Sequence, residues 1–218
     1  MHRPPLVRTI ETPTHGRYLV RAAAPAASDA PLLVGFHGYA EDAEGHLAAL
    51  QQIPGVDAWI LVSVQALHPF YTRDDRIVAN WMTRQDRELA IADNLHYVAS
   101  VVHAVRLEHG AGSPLVFAGF SQGGAMAYRA AAHGDADGLV VLAADVPPDV
   151  AERDGVLPPV LLGRGSRDRW YSEEKMTSDL TTLRRLGVTP DTVVFDGGHE
   201  WTPSFCDAAG GFLARVIK

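Results

Sequence analysis

The sequence predicts an α/β fold in which helices cover both faces of a mostly parallel central sheet. Short apolar segments without polar alternation recur along the chain, as is typical of strands buried on both faces of a parallel sheet. Longer segments with helical periodicity lie between them, so that strands and helices alternate to the end of the chain. A chain of 218 residues is of ordinary size for one domain, and we expect a single domain over residues 1–218.

Seven segments are predicted to be strands because they are apolar and are bounded by residues that favour turns. In chain order they span residues 17–22, 32–36, 58–64, 115–118, 139–143, 160–162 and 192–195. The alanine- and proline-rich residues 22–30 are predicted to form a loop between the first two strands.

The helices are predicted from capping residues and from apolar stripes. The longest follows Thr83–Asp86, which resembles a capping box, and ends before Gly110; its stripe is Ile91, Leu95, Val98, Val102 and Val105. A second begins near Ser172 and stops at Gly187. The last opens with Thr202 and Pro203 and buries Phe205, Ala209, Phe212 and Val216. A further helix is predicted for the small residues that follow Ser121.

Composition and charge exclude several classes of function. The net charge of −7 and the lack of lysine and arginine clusters predict no nucleic-acid partner. Cys206 is the only cysteine, which excludes an internal disulfide and fits a cytoplasmic location. We expect neither secretion nor a membrane span, because the first residues lack an apolar signal and no apolar run approaches about 18 residues. The oligomeric state is not predicted.

The segment around Ser121 carries the strongest motif. An apolar run precedes Gly119-Phe-Ser121-Gln-Gly123, and a stretch of small residues follows it. This is G-x-S-x-G between a strand and a helix, a nucleophile elbow, in which glycines on both sides of the serine permit a turn that bulkier side chains would prevent. Ser121 is therefore predicted to be a catalytic nucleophile; the alternative is a serine that only caps the helix.

A serine hydroxyl needs a general base and an acid that fixes the tautomer of the base. His199 lies in a glycine-rich loop directly after the strand predicted at 192–195, and it is the predicted base. Asp168 follows the strand predicted at 160–162 and gives the chain order Ser, Asp, His. Asp145, which also follows a predicted strand, is the alternative acid. We favour Asp168 because Gly163 and Gly165 allow its loop to turn toward the histidine.

Two backbone N–H groups are predicted to form an oxyanion hole. One belongs to Gln122, the residue after the nucleophile. The other belongs to Tyr39, because the strand predicted at 32–36 ends in His37-Gly38 and Tyr39 follows. His37 is expected to stabilise this loop rather than act as a base.

The chain resembles the small esterases of the α/β-hydrolase superfamily, in particular the carboxylesterase/phospholipase group that includes the acyl-protein thioesterases. The resemblance extends from about Leu32 to the C-terminus and rests on His37-Gly38, the elbow at 119–123, Asp168 and Gly198-His199-Glu200. It implies a serine hydrolase that forms an acyl-enzyme, requires no metal or other cofactor, and has no large lid. The chain reads His-Gly-Tyr-Ala where some esterases carry HGGG, so a hole with three glycine donors is not expected.

Five aromatic residues are predicted to form an apolar pocket, because they fall in loops near the carboxyl ends of strands. The alternative for each of them is ordinary packing. They are Phe70, Tyr71, Trp81, Trp170 and Trp201. His96 and His103 lack a third ligand, so no metal site is predicted, and Cys206 is expected to be inert.

These residues together predict a serine hydrolase that cleaves carboxylic esters of small or medium acyl chains. A small-molecule ester is the expected partner. One alternative is a thioesterase acting on acyl-protein or acyl-CoA, although no basic patch for the phosphates of a coenzyme is evident. Another, from a different class, is a non-catalytic module that uses the same pocket to bind a ligand; such a module has no need of all three catalytic residues.

Overall fold

The computed structural model describes residues 5–153, 155 and 157–217 and places most of its strands in one sheet. The strands are β1 (Tyr18–Arg21), β2 (Leu32–Phe36), β3 (Ile60–Val64), β4 (His68–Tyr71), β5 (Ile77–Asn80), β6 (Leu115–Phe120), β7 (Gly138–Leu142), β8 (Val160–Gly165) and β9 (Asp191–Phe195). The main sheet has the order β1-β3-β2-β6-β7-β8-β9. Its neighbouring strands are parallel except β1, which pairs antiparallel with β3. The predicted strands and their mostly parallel direction are confirmed, with boundaries that differ by no more than three residues.

Helices cover both faces of this sheet. They are α1 (Ala43–Leu50), α2 (Arg87–His109), α3 (Gln122–His133), α4 (Pro148–Ala151), α5 (Glu173–Arg185) and α6 (Pro203–Val216). On β7, Gly138 lies against Phe212 of α6, whereas Val141 lies against Gly124 of α3. Because residues three apart on a strand point to opposite faces, α3 and α6 lie on opposite sides of the sheet.

Two of the three predicted helix starts have the expected caps. The Ser172 hydroxyl accepts a hydrogen bond from the Lys175 N–H at 3.4 Å, and the Thr202 hydroxyl accepts one from the Phe205 N–H at 3.3 Å. The capping box predicted at Thr83–Asp86 is wrong. The Thr83 hydroxyl instead accepts from the Gln85 N–H at 3.2 Å, so it closes a local turn before α2 begins.

The β4–β5 hairpin was not predicted from the sequence. Its strands pair antiparallel with Phe70 opposite Val78, outside the main sheet. Pro69 and exposed polar residues give β4 no apolar alternation, so nothing in its sequence distinguishes it from a loop. The hairpin approaches the end of β2 through a bridge between Glu41 and Ala79, and this contact brings it beside the candidate site.

None of the described helices has both the length and the apolar character that crossing a membrane requires.

Candidate active site

Ser121 lies on a strained turn between β6 and α3. Its backbone has φ 53° and ψ −121°, a conformation that a residue with a side chain rarely adopts and that costs about 1–3 kcal/mol. Backbone hydrogen bonds hold it there, because its N–H donates to the Leu142 carbonyl at 2.9 Å and its carbonyl accepts from the Gly124 N–H at 2.9 Å. The turn therefore presents the hydroxyl at the carboxyl edge of the sheet.

The elbow depends on the absence of side chains at Gly119 and Gly123. A Cβ atom at Gly119 would lie 2.3 Å from the carbonyl oxygen of Gly123. A Cβ atom at Gly123 would lie 2.0 Å from the carbonyl oxygen of Phe36 and 2.4 Å from that of His37. The first turn of α3 thus packs directly against the backbone at the end of β2, which the local motif alone does not reveal.

His199 and Asp168 are joined by a hydrogen bond of 2.8 Å between Nδ1 and Oδ2. The other carboxylate oxygen accepts from the N–H groups of Trp170 at 2.7 Å and Tyr171 at 2.9 Å. Asp168 is only 6% exposed, so these bonds hold it in one orientation. Because Nδ1–H donates to the carboxylate, the imidazole keeps its lone pair on Nε2, which is the tautomer that a general base requires.

The loops that carry this pair meet through a second close approach of backbones. A Cβ atom at Gly165 would lie 2.1 Å from the carbonyl oxygen of Gly198. The Arg167 N–H donates to the Gly197 carbonyl at 2.8 Å, and the Ser166 N–H donates to the Phe195 carbonyl at 2.8 Å. The end of β8 is therefore bonded to the end of β9 where the acid and the base leave the sheet.

Asp145, the alternative acid, is not bonded to the histidine. Its carboxylate accepts a hydrogen bond from the Lys175 ammonium at 3.1 Å, and its side chain is 54% exposed. The geometry consequently pairs His199 with Asp168.

The backbone N–H groups of Tyr39 and Gln122 lie on two segments that pack against each other. Neither N–H donates to another group within the described part of the chain. The contact of Gly123 with the Phe36 and His37 carbonyls brings these segments together. The arrangement is compatible with two donors directed at one oxygen atom beside Ser121.

The Gln122 side chain has a separate role. Its Oε1 accepts from the Trp81 N–H at 2.9 Å, and its Nε2 donates to the Met82 carbonyl at 2.9 Å. This pair of bonds attaches the segment after β5 to the start of α3. Gln122 thereby fixes the position of its own backbone N–H.

His37 stabilises the loop after β2, as the sequence suggested. It is fully buried; Nδ1 donates to the Gly38 carbonyl at 2.7 Å and Nε2 accepts from the Ala66 N–H at 3.1 Å. Burial lowers the pKa of His37, which keeps the imidazole neutral and suits these two bonds. The Trp81 indole N–H donates to the His37 carbonyl at 2.8 Å and closes the same network.

Glu41 is a site residue that sequence reasoning missed. Its Oε2 accepts from the Gly38 N–H at 2.7 Å and so shapes the turn that contains Tyr39. Burial raises the pKa of Glu41, while the backbone bond from Gly38 and the charge of His199 act in the opposite direction. No motif marks this glutamate, because its importance depends on the fold bringing it near His199.

Ser121 and His199 line one cleft with a volume of about 310 Å³. Small apolar residues form much of its wall, and three charged side chains and one tryptophan complete it. The small residues are Ala125, Ala143, Ala144, Val146, Pro147 and Pro148. The others are Arg87, Asp145, Lys175 and Trp170.

The five predicted pocket aromatics do not form one pocket. Trp170 lines the cleft and is 76% exposed. Phe70 packs on the Tyr39 ring with centroids 5.8 Å apart, and Tyr71 is exposed on the same strand. Two members of the predicted set lie away from this cleft: Trp81 is fully buried in the core, and Trp201 packs against the rings of His46 and Phe205 beside a different groove. For large apolar side chains that follow strands, the sequence alone does not distinguish packing in the core from contact with a substrate.

The described residues contain no group of three or more histidine, cysteine or acidic side chains arranged to hold a metal ion. Cys206 is buried on α6, and burial raises the pKa of its thiol.

No family model matches the chain, and no curated protein matches it. Solved structures do resemble it. Esterase PE8 is 22% identical over 93% of this chain and 100% of its own, with a TM-score of 0.72. The carboxylesterase of Bacillus cereus is 14% identical over 92% and 94% of the two chains, with a TM-score of 0.71. Acyl-protein thioesterase 2 of Zea mays is 18% identical over 94% and 100%, with a TM-score of 0.70. The chain therefore has the α/β-hydrolase fold.

Proposed function

We propose that the protein is a serine hydrolase that cleaves carboxylic esters of small or medium acyl chains through an acyl-enzyme. The observation that carries this proposal is the 2.8 Å hydrogen bond between His199 and Asp168, in loops that meet beside the strained Ser121 turn. A serine at an elbow and a histidine oriented by a buried carboxylate on one cleft are the parts that acyl transfer to water requires.

In the first half-reaction, Ser121 Oγ attacks the ester carbonyl carbon while His199 Nε2 accepts the hydroxyl proton. The tetrahedral intermediate collapses, the bond to the alcohol oxygen breaks, and His199 returns the proton to the departing alcohol. In the second, water attacks the acyl-enzyme, His199 again accepts and returns a proton, and the acid leaves with Ser121 restored. Asp168 keeps the imidazole oriented and stabilises its protonated form.

The oxyanion of each intermediate would accept hydrogen bonds from the backbone N–H groups of Tyr39 and Gln122. Donors held in place before the reaction contribute about 10²- to 10³-fold each in rate. The side-chain bonds of Gln122 to the Trp81–Met82 backbone and the Glu41 bond to Gly38 support this role, because each restrains one of the two segments.

Glu41 would act through the turn that contains Tyr39, because its carboxylate accepts from the Gly38 N–H. We assign it to positioning rather than to proton transfer, since Asp168 occupies Nδ1 of His199.

Esters are favoured as substrates because two of the structural neighbours are named as an esterase and a carboxylesterase. A thioester is attacked by the same groups, and a thioesterase is also among the neighbours, so thioester turnover is measured alongside. A cytoplasmic location belongs to this proposal because the chain has a single cysteine and its fold uses no disulfide.

The decisive experiment is hydrolysis of p-nitrophenyl esters from acetate to a long acyl chain by the wild type, Ser121→Ala and Ser204→Ala. Ser204 is an exposed serine on α6 and serves as the matched control. We expect Ser121→Ala to lower kcat by about 10³-fold or more with the fold intact, and Ser204→Ala to retain wild-type rates. A fluorophosphonate should label the wild type and Ser204→Ala but not Ser121→Ala.

Turnover by Ser121→Ala at the wild-type rate would remove the serine from the mechanism. Absence of both turnover and labelling in the folded wild type would favour the non-catalytic module. If the fluorophosphonate labels Ser121 but only thioesters are hydrolysed, the protein would be a thioesterase rather than a carboxylesterase.

A further inference from the structure

The cleft beside Ser121 has one positive charge without a partner. Lys175 and Asp145 both line it and are joined by a hydrogen bond of 3.1 Å, so their charges offset each other. Arg87, the first residue of α2, is exposed at the rim of the same cleft and has no carboxylate within 4.0 Å among the described residues. An unpaired guanidinium at the candidate site is notable because the whole chain carries a net charge of −7.

Asp149 is the acidic residue whose pKa responds to Arg87, but its carboxylate is already bound elsewhere. Its two oxygens accept from Arg129 Nε at 2.8 Å and Nη2 at 2.7 Å. Arg129 is fully buried, so its charge requires this carboxylate. The pKa of Asp149 is lowered mainly by Arg129 and only to a lesser degree by Arg87. The charge of Arg87 is therefore left for a ligand.

The size and the wall of the cleft limit which apolar group a ligand can place beside Arg87. A volume of about 310 Å³ is at the lower end of ligand sites, and the apolar part of the wall consists of alanine, valine and proline with one exposed tryptophan, Trp170. Such a wall suits an aliphatic portion of a few carbon atoms. A long acyl chain would extend past it into solvent.

Arg87 is exposed, so a neutral ester beside it would leave the guanidinium bound to water and would gain nothing from its charge. A carboxylate on the substrate would instead accept hydrogen bonds from the arginine through two parallel N–H donors. An ion pair at an exposed arginine corresponds to about 2- to 5-fold in affinity. The same charge would attract anionic substrates to the cleft at low ionic strength.

We propose that the cleft selects short esters that carry a negative charge, and that Arg87 is the residue that determines this specificity. This inference rests on the proposed ester hydrolysis at Ser121 and adds the class of substrate to it. The favoured substrates are half-esters of short dicarboxylic acids or short acyl esters of hydroxy acids.

The test compares kcat/KM for two isosteric pairs of esters, with acid release followed by pH-stat. Monomethyl succinate and methyl 4-methylpentanoate differ in charge on the acyl side. Acetoxyacetate and isobutyl acetate differ in charge on the alcohol side. Each pair is measured with the wild type, Arg87→Gln and Arg184→Gln. Arg184 is exposed on α5 and forms no ion pair with the described residues, so it controls for the loss of one positive charge.

We expect the wild type to prefer the anionic member of at least one pair, and Arg87→Gln to reduce that preference by about 2- to 5-fold. Arg184→Gln should keep the wild-type preference, and added salt should reduce it in the wild type. Thermal unfolding of each variant confirms that it is folded.

Serine-dependent hydrolysis without an anionic preference, or with a preference that Arg87→Gln leaves intact, would overturn the specificity while the proposed hydrolysis stands. Failure of the wild type to hydrolyse any of the four esters or the p-nitrophenyl esters would overturn both.

Discussion

The serine turn and the Asp168–His199 pair are held in place by different means. The turn is fixed by main-chain contacts within itself and with the ends of β2 and β7, where glycines let backbone atoms approach each other. The acid and the base come from loops 31 residues apart and are fixed by hydrogen bonds to and from side chains. Damage to the turn should therefore appear first as a loss of folding, and damage to the pair first as a loss of rate.

Gly123→Ala should have the largest effect, because its Cβ would meet two main-chain carbonyl oxygens of the end of β2 that cannot move independently of the sheet. We expect unfolding in urea to show a loss of about 3 kcal/mol or more, and activity to be lost with the fold.

The matched control is Gly211→Ala, another helical glycine substituted by the same residue. Gly211 is exposed on α6, and the nearest atom to its added Cβ is an Arg215 nitrogen at 3.9 Å. This variant should be about 0.5–1 kcal/mol more stable than the wild type. Similar stability in the two variants would mean that the approach of α3 to β2 is not a constraint.

Asp168→Asn should affect the rate and spare the fold. The asparagine oxygen can still accept from the Trp170 and Tyr171 N–H groups, but its amide N–H₂ would face Nδ1 of His199 and favour the wrong tautomer. We expect kcat to fall by about 10³-fold or more, with a melting temperature close to that of the wild type.

Asp145→Asn provides the comparison for this variant, since Asp145 lines the same cleft but binds Lys175. Its kcat for a neutral ester should stay within about threefold of the wild type. If Asp145→Asn were the slower of the two enzymes, the assignment of Asp168 as the acid would be wrong.

The same contrast explains what could be predicted from the sequence. Gly119, Ser121 and Gly123 are close together in the chain, so the motif can be recognised locally, although the contact of Gly123 with the end of β2 lies outside it. The order of apolar segments likewise predicted all seven strands of the main sheet. Glu41 and the β4–β5 hairpin could not be predicted, because each depends on a contact with a distant segment that leaves no local pattern.

Trp81 shows the same limit for a residue that was predicted to line the pocket but lies in the core. Its position after a strand was compatible with a substrate pocket, and its burial depends on Phe36 and His37, which lie more than 40 residues away. The type of a residue and its place near a strand end do not determine on which side of the loop its ring lies.

Asp179→Asn should have the smallest effect, and one that depends on pH. Asp179 stabilises the loop after β8 that carries Asp168, here called the acid loop. Its carboxylate accepts from the Tyr171 hydroxyl at 2.8 Å and the Val146 N–H at 3.1 Å. Burial raises its pKa from 3.8 to about 6, partly offset by those two bonds, while Asp145 raises it further and Lys175 lowers it. Between about pH 4 and pH 6 the folded protein therefore keeps the proton of Asp179, which the unfolded chain has already lost.

The sign of the effect follows from this difference in proton binding. The contribution of Asp179 to stability is full below about pH 4 and is lost as the pH rises through about 6. The asparagine side chain of the variant cannot titrate, so the variant should gain about 2 kcal/mol relative to the wild type between pH 4 and pH 7. Urea unfolding across this range measures the gain, with the exposed Asp93→Asn as control. A difference in stability between Asp179→Asn and the wild type that does not change with pH would show that the pKa of Asp179 is the same in the folded and the unfolded protein. The acid loop would then rest on a carboxylate that is ionised throughout, and its geometry would be insensitive to pH over the range in which the hydrolysis is measured.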